Sequence, residues 1–245
     1  MREIKINYKK PHKVPVRLEY TEDELVINVA VRYHKKMLMP YENKDNLIKA
    51  PDILLKQKSD GFTFADAFEE GITNLWGGEY DMSSYGGSDK FKVTVRIQRI
   101  TDEDYPSNQK SFKVKFSSLT NTSFVISPIW KWFWGYFIGR KECATLNWSR
   151  KTPGTINMKK YSRLKSFEHT CAHEFGHVLG LGDAYAAFYR FYYPAPGTIT
   201  YMMYHNNKVA PEELYMVLKA HATGKMQYFP CKFKFSNIKA NLFKK

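Results

Sequence analysis

The stretch HEFGHVLGLGD, residues 173–183, decides what this chain can fold into and bind. A helix over residues 167–180 would place His173 and His177 on the same face, because four residues are close to one helical turn. Two imidazoles one turn apart can bind a single metal ion. Glu174 would flank that ion without binding it, which suits a general base that takes a proton from water. The spacing therefore predicts two metal ligands and a base.

The residues after the helix complete the predicted site. Gly180 allows the chain to leave the helix through a left-handed turn, and that turn can bring Asp183 back to the ion. Two histidines and one carboxylate leave a coordination position open, which is typical of catalytic zinc. His169 is excluded as a ligand, because at about 1.5 Å rise per residue it lies roughly 12 Å along the axis from His177.

This segment resembles the metzincin zinc peptidases, whose pattern is His-Glu-x-x-His-x-x-Gly-x-x-His or Asp followed by a methionine turn. The chain matches that pattern at His173, Glu174, His177, Gly180 and Asp183. An aspartate in the last position is similar to the snapalysin-like members. The resemblance implies an α+β fold in which a twisted mixed sheet and two long helices form an N-terminal lobe, residues 1–182. A small, mostly irregular and helical C-terminal lobe, residues 183–245, would face it across a cleft.

The resemblance also implies a methionine turn beneath the histidines, and TYMMY at residues 200–204 is the candidate. Met203 is the preferred turn residue and Met202 the alternative, although both thioethers also suit an ordinary apolar core. Tyr204 is expected to help stabilise the oxyanion of the reaction. The C-terminal third of the chain is, in addition, similar to metallopeptidase domains at the ends of bacterial polymorphic toxins.

The function predicted from these residues is zinc-dependent hydrolysis of peptide bonds in a protein or peptide substrate, with one catalytic Zn²⁺. One alternative is a gluzincin-type zinc peptidase, in which Glu212 or Glu213 from a later helix is the third ligand. Another is a non-enzymatic basic or membrane-active binding module with a structural metal site. Glu174 argues against a structural site, which has no need of a base.

Charge and composition indicate the kinds of partner. The net charge is +14, from 38 Lys and Arg against 24 Asp and Glu, and residues 143–167 carry six basic residues and no acid. We expect a positive surface near the predicted helix over residues 167–180, and this surface would fit an acidic inhibitor or immunity protein. No recognised binding motif accompanies this charge, so nucleic acid is not expected as the main partner.

Three further features bear on location. The odd number of cysteines, three, argues against a disulfide framework, and Cys171 is expected to be a buried thiol. The N-terminus MREIKINYKK does not predict a secretory signal, so we expect a cytosolic protein or a delivered domain released from a longer precursor. Residues 124–139, FVISPIWKWFWGYFIG, are too short to span a bilayer but could contact a membrane through Trp130, Trp132 and Trp134.

Residue periodicity predicts the elements that carry the site. Alternating apolar residues predict strands over residues 24–32, 91–100, 111–116, 122–126 and 155–158. Helices are predicted over residues 64–75, capped by Thr63 and Asp66, and over 211–222. Strand, helix and strand over residues 24–100 could form one right-handed crossover of a sheet. Metzincins run one strand past the cleft beside the extended substrate, and residues 155–158 are the candidate for it.

Overall fold

The structure is a computed structural model that describes residues 4, 6, 15–41, 61–100, 111–117, 123–126, 154–161, 163–184, 192–193, 195–205 and 207–233. The described strands are β1 Val16–Tyr20, β2 Glu24–Tyr33, β3 Gly78–Tyr80, β4 Phe91–Arg99, β5 Phe112–Phe116, β6 Phe124–Ile126, β7 Thr155–Met158, β8 Tyr192–Tyr193 and β9 Lys232–Phe233. The described helices are α1 Phe64–Trp76, α2 Leu164–Val178, α3 Met202–His205 and α4 Pro211–Thr223. The predicted α+β class is confirmed by this mixture of strands and helices.

A mixed seven-stranded sheet organises the described chain. Its order is β3-β4-β2-β5-β7-β6, with β1 paired to β2 outside this path. β2 is parallel to both β4 and β5, and β5 is parallel to β7. β1, β3 and β6 are antiparallel to their partners. The predicted parallel pairing of the strands before and after α1 is therefore confirmed.

Alternation along the strands directs one face of the sheet into the core. In β2 the inward side chains are Leu25, Ile27, Val29 and Val31, each 3% exposed or less. They belong to one hydrophobic cluster with buried residues of α1 and α2, so both long helices pack on this face of the sheet. Helix α2, which contains residues 173–177, is thereby attached to the apolar core of the described chain.

Helix α1 begins and ends as the sequence predicts. The side chain of Thr63 accepts a hydrogen bond from the Asp66 N–H, and the Asp66 carboxylate accepts one from the Thr63 N–H at 2.7 Å. At the other end, the buried Trp76 indole donates to the Ala172 carbonyl oxygen at 2.8 Å. This bond joins α1 to the middle of α2, beside His173.

The two long helices approach most closely at a glycine. A Cβ atom added at Gly71 would lie 2.6 Å from both the Cα and the carbonyl oxygen of Glu168 in α2. We expect Gly71→Ala to lower the free energy of unfolding by about 1–3 kcal/mol, because the backbones must separate. In an open helix the same substitution stabilises by about 0.5–1 kcal/mol. Urea unfolding followed by circular dichroism measures the change, and a variant as stable as the wild type would contradict this contact.

One predicted strand role is wrong. Residues 155–158 do form β7, but β7 is paired on both sides, parallel to β5 and antiparallel to β6. Its backbone groups are therefore engaged, and it has no edge beside which a substrate could add. The edge on this side of the described sheet is β6, Phe124–Ile126. Sequence alternation identifies a strand but does not give its position in the sheet.

Several elements were not predicted, namely β1, β3, β8, β9 and the short helix α3. The segment 127–139 with its three tryptophans lies outside the described residues, and so does the expected membrane contact through it. Of the described helices, none has the length and apolar character needed to cross a membrane.

Candidate metal centre

One face of helix α2 is apolar and packs into the core, which leaves another face for the candidate metal site. Phe167, Cys171, Phe175 and Val178 follow one another at intervals of three or four residues, and each is 1% exposed or less. The expected buried thiol of Cys171 is confirmed, and burial raises its pKa well above the ordinary value. The helix begins at Leu164, three residues before the predicted start, and ends at Val178.

The helix ends in the glycine turn that the sequence predicts. Gly180 has a φ of 101°, a backbone conformation that side chains resist. Its N–H bonds to the His177 carbonyl oxygen at 3.2 Å, and the Leu181 N–H bonds to the Gly176 carbonyl oxygen at 3.0 Å. This pair of hydrogen bonds is a Schellman motif. It reverses the chain so that residues 181–183 run back beside the histidines.

His173, His177 and Asp183 come together in one group that could hold a metal ion. Their ligand atoms all lie within 4.8 Å of one another. The Asp183 Oδ1 atom is 3.1 Å from His173 Nε2 and 3.4 Å from His177 Nε2. The imidazole rings are perpendicular, with centroids 4.9 Å apart. Three residues separated along the sequence thus direct their donor atoms at one point.

Backbone carbonyl oxygens determine which ring nitrogens face that point. His173 Nδ1 lies 2.9 Å from the Met202 oxygen, and His177 Nδ1 lies 2.9 Å from the Leu181 oxygen. A carbonyl oxygen only accepts hydrogen bonds, so Nδ1 carries the proton in both rings. Each Nε2 atom is then left for the ion, and a hydrogen bond of this kind orients a metal-binding histidine.

The electrostatics of the group favour a cation at its centre. Burial raises the pKa of Asp183, but the neighbouring histidines lower it more, so that its pKa lies well below the ordinary value. Burial lowers the pKa of His177, but the Asp183 carboxylate outweighs this effect and raises that pKa overall. The pair retains a proton when no ion is bound, and a metal ion that binds must displace it.

Glu174 lies beside the three-residue group, and one of its carboxylate oxygens lacks a hydrogen-bond partner among the described residues. The residue is 4% exposed, and burial raises its pKa, an effect that His177 and His173 oppose. Among the residues that the structure describes, none forms a hydrogen bond with its buried Oε2 atom. An unsatisfied carboxylate oxygen at this depth is costly unless it has a function or binds water.

The two candidate turn methionines contact the site in different ways. Both are fully buried. A Cβ atom added at Gly176 of α2 would lie 2.2 Å from Met203 Sδ, so the Met203 side chain packs directly against α2. Met202 contributes its carbonyl oxygen to His173 instead. Tyr204 lies on the same short helix with its ring edge-to-face against His205, at 4.2 Å between centroids.

The glutamates proposed as rival ligands are placed elsewhere. Glu212 accepts a hydrogen bond from the Tyr201 hydroxyl at 2.9 Å. Glu213 is fully buried and accepts hydrogen bonds from backbone N–H groups of residues 202, 203 and 210. Neither belongs to the group that could hold an ion, nor does His169, as the helix rise predicts. Of the basic segment 143–167, Arg163 and Lys165 are exposed at the start of α2, and residues 143–153 lie outside the described part.

A contact that the sequence did not reveal holds the Asp183 loop. The Gly182 N–H donates to the Gln227 oxygen, and the Gln227 N–H donates to the Gly180 oxygen, both at 2.8 Å. The Tyr228 ring covers Gly182 so closely that a Cβ atom there would lie 2.3 Å from it. The sequence signal was Gly182 itself, a second glycine within three residues, but its partner lies about 45 residues later and no local pattern connects them.

No known protein family, curated protein or solved structure matches this chain. Family membership therefore stays a prediction.

His221 of α4 gives the fold a specific sensitivity to acid. It is 7% exposed and bonds to the backbone of Leu179 at the end of α2, and burial lowers its pKa to about 3 from 6.5. Between these values the unfolded chain binds a proton that the folded protein does not. Above pH 6.5, His221 does not reduce the free energy of unfolding. Below that value, the free energy of unfolding falls by up to about 1.4 kcal/mol per pH unit as the pH drops toward 3.

We expect His221→Asn to remove this dependence. Urea unfolding of the metal-free protein and variant between pH 4 and 8 would show a stability difference that is constant above pH 6.5. Below that value, the wild type loses stability relative to the variant. Parallel curves over the whole range would contradict the burial of a neutral His221.

Proposed function

We propose that this protein is a zinc-dependent endopeptidase. The observation that carries the proposal is the juxtaposition of a three-residue ligand group with a buried carboxylate that lacks a partner. His173, His177 and Asp183 would hold the ion, and Glu174 would be the general base. Among the described residues the group has three protein ligands, which is the number found in catalytic zinc sites.

The two distances from the aspartate to the histidines suit zinc. Bonds of about 2.0–2.1 Å at tetrahedral angles require ligand atoms about 3.3 Å apart. Asp183 Oδ1 lies 3.1 Å and 3.4 Å from the two Nε2 atoms. Two imidazoles and a carboxylate are also ligands that zinc commonly takes in enzymes. A bound zinc ion would supply Lewis acidity, polarising a peptide carbonyl group and lowering the pKa of a water molecule.

The residues of the chain then have defined tasks. Glu174 Oε2 accepts a proton from water while the water oxygen bonds to the peptide carbonyl carbon. Glu174 returns that proton to the amide nitrogen as the carbon–nitrogen bond breaks, which releases a carboxylic acid and an amine. The raised pKa of Glu174 suits both steps, because the same carboxylate must accept and release the proton near neutral pH. Tyr204 is proposed to stabilise the negative oxygen formed between them.

We also propose that the fold is metzincin-like. A mixed sheet, two long helices packed on one of its faces, and a C-terminal region with the methionines beneath the site all support this proposal. In this proposed fold, β6 is the strand beside the extended substrate, a position that the sequence predicts for residues 155–158. It is the outermost described strand on that side, so an extended substrate would lie beside Phe124–Ile126. We keep residues 1–182 and 183–245 as the proposed lobes.

The competing proposals differ in the residues that hold the ion and in whether peptides are cleaved. The gluzincin-type alternative requires Glu212 or Glu213 near the ion. Glu212 is instead hydrogen-bonded to Tyr201, and Glu213 to backbone N–H groups. The binding-module alternative predicts a metal that stabilises folding without any peptide cleavage. Zinc-loaded protein should be incubated with a proteome-derived peptide library and the new termini identified by mass spectrometry. Cleavage that stops with a chelator supports the peptidase, and an uncut library supports the binding module.

For the biological role we propose a delivered bacterial toxin domain that cleaves a protein in the target cell. The resemblance of the C-terminal third and the charge of +14 support this role, and the charge would suit an acidic immunity protein. Expression of the chain in bacterial and host cells, beside its Glu174→Gln form, tests the role. Growth arrest by the wild type alone is the expected result. Equal growth with both forms in every cell type would reject the role without rejecting the enzyme.

A further inference from the structure

We infer that Glu213 is a positioning residue for the metal centre, acting on His173 through a single peptide unit. The Glu213 Oε1 atom accepts a hydrogen bond from the Met203 N–H at 2.8 Å. At the opposite end of the same peptide unit, the Met202 carbonyl oxygen accepts the hydrogen bond from His173 Nδ1 at 2.9 Å. The inference rests on the proposed function of this site.

The peptide unit transmits orientation because it is planar and rigid. The N–H and C=O of a trans peptide point in opposite directions, so fixing one end fixes the direction of the other. Glu213 also accepts from the Met202 N–H at 3.3 Å and from the Ala210 N–H at 2.7 Å. The carboxylate is therefore bonded to the turn on one side and to the start of α4 on the other, and the carbonyl that orients His173 cannot rotate independently.

The chain of bonds also acts on the electronic properties of the ligand. A carboxylate that accepts a proton from an amide polarises that amide, and its carbonyl oxygen becomes a stronger acceptor. A stronger acceptor at Nδ1–H makes Nε2 a more basic ligand. A series of hydrogen bonds thus connects the Glu213 carboxylate, through the peptide unit, to the imidazole that would bind the ion. Glu213 has the role that a carboxylate bonded directly to histidine has in other metal sites.

The third ligand depends on the same segment. The Met203 carbonyl oxygen accepts a hydrogen bond from the Ala184 N–H at 2.9 Å, directly after Asp183. Residues 202 and 203 therefore support one ligand from each side of the site, and the fully buried Glu213 fixes both of their N–H groups. A residue needed only to cap α4 would require the bond to Ala210 alone.

Two substitutions separate positioning from capping. In α1, an aspartate at the equivalent third position of the helix caps the helix, since Asp66 accepts from the Thr63 N–H at 2.7 Å. Glu213→Asp should therefore keep the cap of α4 but be too short to reach residues 202 and 203. Glu213→Gln keeps the length but sets an amide N–H₂ against a backbone N–H. Glu212→Asp and Glu212→Gln are matched controls, because Glu212 lies in the same turn and bonds only to Tyr201 among the contacts described.

Zinc affinity is measured by competition with a chromogenic chelator at pH 8, where Glu213, whose pKa burial raises to about 7, is mostly ionised. Absorption of the Co²⁺-substituted proteins reports ligand geometry, and circular dichroism reports folding. We expect both Glu213 variants to weaken zinc binding by about 10–100-fold and to change the Co²⁺ spectrum, with both Glu212 variants unchanged. Folded Glu213 variants with wild-type affinity and spectrum would overturn the inference. If Glu213→Gln does not fold, Glu213→Asp decides alone. Failure of the wild type to bind zinc would instead reject the proposed function.

Discussion

Replacing Glu174 by glutamine will lower the rate of peptide hydrolysis by about 10²–10⁴-fold, which is the contribution expected from a general base. Glutamine has nearly the same shape, so the ligand group and the core around α2 should remain intact. It cannot accept a proton from water, and the step that creates the nucleophile is lost. Zinc content should equal that of the wild type, because Glu174 is not one of the three residues that could hold the ion.

The measurement is kcat/KM on a peptide found in the library screen, with zinc content determined on the same sample. Glu168→Gln is the matched control, since it makes the same substitution earlier on α2, outside the ligand group. Its activity should equal that of the wild type. If Glu174→Gln cleaves at the wild-type rate, the role of Glu174 as base is wrong, even if zinc is bound.

Replacing Asp183 by alanine will reduce zinc affinity by more than about 100-fold, beyond the range caused by changes outside the ligand shell. The substitution removes one of three donors and the negative charge that faces both Nε2 atoms. Peptidase activity at limiting zinc should fall with it. The remaining two histidines could still bind the ion weakly, so added zinc should restore metal binding only at high concentration.

Glu212→Ala tests the gluzincin-type alternative in the same experiment. Its bond to Tyr201 would be lost, but zinc affinity should not change. The reverse pattern, in which Asp183→Ala retains zinc and Glu212→Ala loses it, would favour that alternative. Glu213 does not serve this comparison, because a positioning residue and a ligand would both weaken binding when replaced.

Local sequence was sufficient for the three longer helices, for five strands of the sheet and for most of the ligand group. The pairing of Thr63 with Asp66 predicts the start of α1, and alternation over residues 24–32 predicts β2 within one residue at its end. The glycine at position 180 predicts the turn that returns Asp183. These features depend on interactions within a few residues, where helix period, strand period and backbone conformation suffice.

Apart from the parallel arrangement of β2 and β4, predictions that require long-range contacts failed or were not made. Strand β7 was identified correctly but given an edge position, because its neighbours are contributed by segments far apart in the chain. The clamp of Gln227 and Tyr228 on the Asp183 loop had no local signal, and Glu213 was considered only as a ligand. Hydrogen bonds between distant backbone groups leave no periodic trace in the sequence.

The sequence by itself determined which groups meet at the candidate centre: two imidazoles one helical turn apart, a glutamate beside them, and an aspartate carried back by a glycine. Tertiary structure decided how His173 is held, through the Met202 carbonyl that directs its ring and the buried carboxylate behind residues 202–203. The physical reason is one of range. Ligand spacing follows from the geometry of one helix, whereas the orientation of His173 depends on a backbone group far along the sequence that only the folded chain brings into contact.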